Sequence, residues 1–416
     1  MTSQHHFMKA AVLAFGFFGV QAVQAQTVVW SKKANGTNRS INSVAFRADG
    51  SKLLSGTNCQ PASIRMFDTG SANLDWDYTV GSPFMCIMGV GFNSNSQYIA
   101  AIEEFGNVFV FNNTGSTPVI IDTIVTGTAN AYSAVVSPVS DQVAVGCSNG
   151  HLKIYNLAGG TLSSDINAHT GMVSAIAYSA DGSRIVTGGY DDKVKIWSST
   201  GTLLFTCPGH TGDITGVKVT PDNAYVVSGS TDDKIKVWDM ATGALVRTIS
   251  GHMGDVKGID LSPNGHHIAS ASQDATCRIW HLATGTELYS LSVPGNIPVT
   301  AVAWSPNSTQ LVTGSLTSDL VLWDLPAALG LHDAMPSASL AVSPNPAQDH
   351  LNIALPVDGQ RWQLSLYNSM GQLQKYIADV SGSSARIDVS SLPEGVFYGL
   401  LESKAQTAYF RFVVAR

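Results

Sequence analysis

Seven aromatic residues recur along this chain at nearly constant spacing: Phe67, Phe111, Tyr155, Trp197, Trp238, Trp280 and Trp323, at intervals of 44, 44, 42, 41, 42 and 43 residues. Each closes the same local pattern. It is clearest where TGGYDDKVKIWS (187–198), SGSTDDKIKVWD (228–239) and SASQDATCRIWH (270–281) align residue for residue. A unit of about 40–45 residues that repeats in this way is one supersecondary element, which buries its apolar face only by stacking on its neighbours. Within a unit, a strand of small residues comes first, such as SAIAYS (174–179) or TAVAWS (300–305). A turn, a second strand (RIVTGG, YVVSGS, HIASAS), a polar turn and the aromatic strand follow, then an outer strand such as TLLFTC (202–207) or ALVRTIS (244–250). The alternation has period two and the turns hold Gly, Asn, Asp and Pro, as β-hairpins require. Four strands per unit and seven units predict an all-β chain whose residues 26–325 form a seven-bladed β-propeller.

The count leaves one strand missing. After VLWDL (321–325) the sequence PAALGLHDAMPSA does not read as a strand, whereas TVVWSKKANGTNRSINSV (27–44) reads like TLLFTCPGHTGDITGV (202–217). Residues 27–32 are therefore expected to complete the blade that ends at Trp323 and to remove an open sheet edge.

The repeats resemble the WD-repeat propeller family. The residues that carry the resemblance are Gly209-His210 and Gly251-His252 at the repeat entry, and Trp238-Asp239 and Trp323-Asp324 at its exit. The resemblance spans about residues 27–325, strongest in repeats four to six and weaker in repeats one to three, where the exit aromatic is Phe or Tyr. It implies one hydrogen-bonded network per blade, built from His, Ser or Thr, Asp and Trp. The matching sets are His169, Thr187, Asp191, Trp197; His210, Ser228, Asp232, Trp238; and His252, Ser270, Asp274, Trp280. In each, His precedes Asp by 22 residues and Asp precedes Trp by six. A serine, a histidine and an aspartate grouped in this way look like a catalytic triad, but a triad occurs once per active site and needs an oxyanion hole. A set repeated three times is structural. GCSNG (146–150) fits the pattern of a nucleophile elbow, yet it occupies the strand–turn–strand slot of its repeat rather than a strand-to-helix turn. The pairs Asp191-Asp192 and Asp232-Asp233 read as exposed turn acids, and neither a metal nor a cofactor is expected.

The ends of the chain carry addresses. Lys9, the apolar run AAVLAFGFFGV (10–20) and QAVQA ending at Ala25 have the regions of a secretory signal peptide, residues 1–25. No later run is suited to cross a membrane as a helix. Five cysteines, with no metal-binding spacing, would meet oxidising conditions after export. Cys59, in a turn of repeat one, and Cys86, at the start of the inner strand of repeat two, are the candidate disulfide pair. Residues 326–338 read as a linker. Residues 339–416 lose the repeat and alternate as a small immunoglobulin-like β-sandwich. Pro344-Asn345-Pro346, LYNSMGQ (366–372), SSLPEGVFYGLL (390–401) and the terminus FRFVVAR make this segment similar to the sorting domains of the type IX secretion pathway. That resemblance implies a bacterium of the Bacteroidota type, contact of 339–416 with the secretion machinery, and a secreted or outer-membrane surface protein that passes through the periplasm.

Function is less constrained than architecture. A formal net charge of −7 argues against nucleic acid as a partner. The leading expectation is a non-enzymatic scaffold that binds a protein through the face bearing the loops before each inner strand and the turns before each aromatic strand. Phe84, Phe105, Tyr132, Tyr190 and Met253 are the candidate contact residues, since exposed aromatics and Met anchor interfaces. A surface glycan is the alternative ligand. A propeller hydrolase or lyase ranks below both, because no unique acid–base cluster stands out.

Overall fold

A computed structural model describes the chain except residues 1–26, 35–39, 59–61, 81–85, 94, 116, 128–129, 158, 294, 326–339, 341, 356–360, 369–372, 403–406 and 416. All regular elements among the described residues are β-strands. Seven successive four-stranded antiparallel sheets form the blades. Their inner strands are Ile41–Phe46, Ile87–Phe92, Ala131–Val136, Val173–Tyr178, Ile214–Val219, Val256–Leu261 and Val299–Trp304. Each inner strand contacts the next, and the last contacts the first, so the blades close a ring. The chain is a seven-bladed propeller.

Six blades take their four strands in sequence order. The seventh takes its outer strand from the other end of the chain: Thr27–Lys33 pairs antiparallel with Asp319–Asp324, placing Val28 opposite Trp323 and Ser31 opposite Val321. The repeat seen in the sequence is thus offset by one strand from the blade seen in space.

Close packing between blades explains the small residues of the second strands. A Cβ on Gly188 would lie 2.3 Å from Cγ2 of Ile214, and one on Gly229 2.7 Å from Cγ1 of Val256. Any larger residue would push the next inner strand outwards, at a cost of about 1–3 kcal/mol for overpacking. Buried Val, Ile, Leu and Ala side chains fill the spaces between the sheets, in clusters that draw on adjacent blades.

The C-terminal region folds as two further antiparallel sheets. One holds Val342–Ser343, His350–Ala354 and Ser384–Asp388; the other holds Leu373–Val380, Trp362–Asn368, Gly395–Glu402 and Thr407–Val414. Leu351, Ile353, Trp362, Leu364, Phe397 and Phe412, drawn from both sheets, form one buried core, which makes the region a small β-sandwich.

Candidate interaction face

Three blades carry a buried polar chain of the same geometry. In blade five, Trp238 Nε1 donates to Ser228 Oγ (2.8 Å), Ser228 Oγ lies 2.9 Å from His210 Nε2, and His210 Nδ1 lies 2.8 Å from Asp232 Oδ2. Blade four repeats this with Trp197, Thr187, His169 and Asp191 at 2.9, 2.8 and 2.7 Å, and blade six with Trp280, Ser270, His252 and Asp274 at 2.8, 2.7 and 2.8 Å. The proton positions follow from what each group can do. A carboxylate only accepts, so Nδ1 carries the imidazole proton; Nε2 then accepts from the hydroxyl, which in turn accepts the indole N–H. Each imidazole is therefore neutral. Burial pushes all three histidines below their ordinary value of 6.5, outweighing the neighbouring aspartate. Burial also pushes the aspartates up, but hydrogen bonds from the imidazole and from side-chain or backbone donors outweigh it, and Asp274 falls to about 2.

These sets cannot act as triads. The three histidine side chains are at most 1% exposed and the three hydroxyl-bearing residues are fully buried, so no substrate reaches the nucleophile. What they do is hold a loop. Asp191, Asp232 and Asp274 each accept the backbone N–H of the residue after the histidine: Thr170, Thr211 and Met253.

Outside blades four to six the network is incomplete. Blade seven keeps the indole bond, Trp323 Nε1 to Thr313 Oγ1 at 2.9 Å. Where the aromatic is Phe111 or Tyr155, the hydroxyl's place beside the third strand is taken by Ala101 or Val145. In blade one it is Ser55, next to Phe67, which has no N–H to offer; the Ser55 hydroxyl is buried with no hydrogen-bond partner among the described residues.

Above the networks, the turn before each aromatic strand is tied to the loop before the inner strand by one backbone bond per blade. Tyr190 N–H meets Met172 O, Thr231 meets Asp213, Gln273 meets Asp255 and Leu316 meets Pro298, all at 2.9–3.0 Å. The turn and loop of every blade thus share one face of the ring. On that face Met253 is 84% exposed, Phe105 52% and Tyr190 47%, while Tyr132, in the inner strand of blade three, is half-buried. Phe84 lies outside the described residues. Leu316, 49% exposed, occupies the slot in blade seven that Tyr190 fills in blade four; aligning the two turns would have revealed it. Asp191 and Asp232, expected as exposed turn acids, instead have their side chains buried in the networks, while Asp192 and Asp233 sit in the left-handed turn position (φ 62° and 64°); no group of three His, Cys, Asp or Glu among the described residues is placed to hold a metal. GCSNG runs from the second strand of blade three into a turn closed by Gly150 (φ 86°), a hairpin.

The family comparisons agree with this geometry. The WD domain, G-beta repeat family matches residues 160–198, 201–239, 243–281 and 285–324, and the secretion system C-terminal sorting domain matches 341–415. The chain is a WD-repeat propeller with a type IX secretion sorting domain. The matched repeats are those whose third strand carries Trp. Among curated proteins the chain is similar to WD repeat-containing protein 3 of Mus musculus (43% identical over 60 residues, 14% of this chain and 6% of the relative). It is also similar to Protein groucho of Drosophila melanogaster (31% over 94 residues, 23% and 13%). The chain therefore spans only a small fraction of the relatives it matches.

Cys86 is disulfide-bonded, whereas Cys147, Cys207 and Cys277 are free and buried, their thiols pushed up by burial. Cys59 lies outside the described residues, and we propose it as the partner of Cys86; peptide mapping without reduction should recover the two cysteines in one linked peptide, and two free thiols there would refute the pairing.

The networks also predict a pH dependence. Histidines lowered in the folded state leave the unfolded chain binding more protons, so stability is complete above about 6.5 and falls as pH drops through that value, with a further loss below 3.8 as the aspartates protonate. Ser228→Ala should cost about 1–3 kcal/mol by stranding the Trp238 indole and the His210 imidazole. Ser55→Ala, which strands nothing, should lie within about 0.5 kcal/mol of the parent. Urea unfolding of both variants at pH 7 and pH 5 checks all three statements, and equal losses for the two serines would contradict the network's role.

Proposed function

We propose that the ring is a non-enzymatic binding platform for another protein, displayed at the cell surface or released, and that the partner docks on the face bearing Tyr190, Met253 and Leu316. The carrying observation is the division of labour within each blade. In blades four to six buried polar networks hold the loops, in every blade a backbone bond ties turn to loop, and the residues presented differ from blade to blade, with Phe105, Tyr190, Met253 and Leu316 exposed. Tyr and Met are enriched at interface cores, and a backbone already held by hydrogen bonds has little ordering left to lose on binding. WD-repeat propellers are typically non-enzymatic, which fits the inaccessible Ser–His–Asp sets. Phe105 extends the same face to blade two.

The address follows from the tail. The sorting domain supports export by the type IX route, which ends outside the cell or on its surface. We take residues 1–25 as the signal that begins this route and the periplasm and outer membrane as its later stages, with residues 326–338 the linker before the sorting domain.

Two experiments test this reading. Immobilised full-length protein should capture partners from the envelope and medium fractions of the source bacterium. Tyr190→Ala combined with Met253→Asp and Leu316→Asp should abolish that capture, while Val119→Asp on the ring's perimeter should not; unchanged capture by the triple variant would rule out this face. Separately, a chain lacking 339–416 should remain in the periplasm with a folded ring, whereas the full chain reaches the exterior. Export of the shortened chain would overturn the address, and an unfolded ring would overturn the boundary between the two units.

A further inference from the structure

Among the described residues, sulfur is nearly always kept from solvent. Met66 and Met240 are core side chains, 5% and 2% exposed. Met88 and Met172 are half-buried, and the Met88 sulfur is met by Asn42 Nδ2 at 3.9 Å. Cys147, Cys207 and Cys277 are free thiols that are fully buried, and Cys86 is already oxidised to a disulfide. Met253 is the exception. It lies in the loop before the inner strand of blade six and is 84% exposed.

The fold does not require a thioether at this place. The backbone N–H of Met253 donates to Asp274 Oδ2 at 3.1 Å, and Thr170 and Thr211 make the same bond from the same position in blades four and five. The network uses the amide and is indifferent to the side chain. Met253 thus combines an apolar side chain on the loop face, a sulfur open to solvent, and a backbone held by a buried chain of bonds in which that side chain takes no part. The disulfide at Cys86 belongs to an oxidising compartment, so the exposed sulfur is displayed where oxidants are met.

We propose that Met253 is a site of oxidation by peroxide, and that its sulfoxide switches off binding at the loop face. A sulfur lone pair attacks one oxygen of hydrogen peroxide, the O–O bond breaks, and the other oxygen leaves as water with both protons. The thioether is oxidised by two electrons and the peroxide is reduced. The product is polar where the contact residue was apolar, so it opposes burial beneath a partner. The loop keeps its place, because the bond to Asp274 comes from the backbone. The switch rests on the reading of the loop face as the interaction face; the selectivity of the oxidation does not.

Treating the full chain with dilute hydrogen peroxide and mapping its peptides by mass spectrometry tests the selectivity. Met253 should gain one oxygen at least tenfold faster than Met66 or Met240, with the urea midpoint of the chain unchanged. Comparable rates for the three would overturn the proposal. The proteins that the parent chain captures from envelope and medium fractions then test the switch. Capture should fall at least tenfold after oxidation, and likewise in Met253→Gln, whose amide imitates the polarity of the sulfoxide. Capture by Met253→Leu, which is apolar and has no sulfur, should be the same before and after peroxide. Undiminished capture by the oxidised parent, or loss of capture by Met253→Leu on oxidation, would overturn the switch. If it fails in this way while the triple variant at Tyr190, Met253 and Leu316 still abolishes capture, the interaction face stands and only its regulation is wrong. Should the triple variant capture as the parent does, or the parent capture nothing, both readings fall.

Discussion

The ring depends on one pairing between the ends of its own sequence. Every repeat supplies the outer strand of one blade and three strands of the next, so a linear array always ends with a three-stranded blade and an unused strand. Pairing Thr27–Lys33 with Asp319–Asp324 resolves both at once. It also makes the closure non-local, with register partners nearly 300 residues apart, and such contacts bear the largest loop-closure entropy in the chain. Once made, closure ties the first blade to the last: Thr300 bonds Ile41, and a Cβ on Gly314 would lie 2.7 Å from Ile41 Cγ2. The close approach that links neighbouring blades elsewhere is thus completed at the seam.

The polar networks serve a different end from the apolar packing. Trp238, Trp197 and Trp280 contribute large buried surfaces, and each indole N–H would be costly inside a blade without an acceptor. The hydroxyl supplies one, the histidine satisfies the hydroxyl, and the aspartate satisfies the histidine and then reaches out to a loop N–H. Each member exists because the previous one would otherwise be stranded. Blades one to three show the converse. With Phe67, Phe111 and Tyr155 there is no indole, and the chain of requirements never starts; Ser55 remains as a hydroxyl whose partners are missing. The division between the complete networks of blades four to six and the first three follows the aromatic, while blade seven stops part-way, with the Trp323–Thr313 bond but no histidine or aspartate joined to it among the described residues.

That division also sets what could be read from the sequence. The propeller was legible because aromatics every 41–44 residues and strict alternation leave few other folds, and the networks because His, Asp and Trp keep spacings of 22 and six. Ser55 was hidden by its turn, two residues longer than its counterparts, which places it 12 rather than ten residues before its aromatic. The bulges at Tyr132 and Lys257 were hidden for another reason: which residue of an inner strand is bulged is a property of ladder register rather than of local pattern. Phe105, Tyr190 and Met253 stand exposed on a common face, as their places in the repeat imply.

A symmetric ring is a poor recognition device, since seven equivalent positions would offer seven equivalent sites. Specificity must therefore reside where the repeat is broken. In the core the breaks include the exchange of Trp for Phe or Tyr and of the hydroxyl for Ala101 or Val145, all at buried positions that a partner does not meet. At the loop face they alter what a partner would meet: Met253 where blades four and five have Thr170 and Thr211, and Leu316 where blade five has Thr231. These substitutions cost the ring little because the backbone bonds from turn to loop persist in every blade. The networks of blades four to six and the turn-to-loop backbone bonds of every blade fix the loops independently of what those loops display and leave the displayed residues free to vary; it is this separation that lets one architecture carry a particular binding surface.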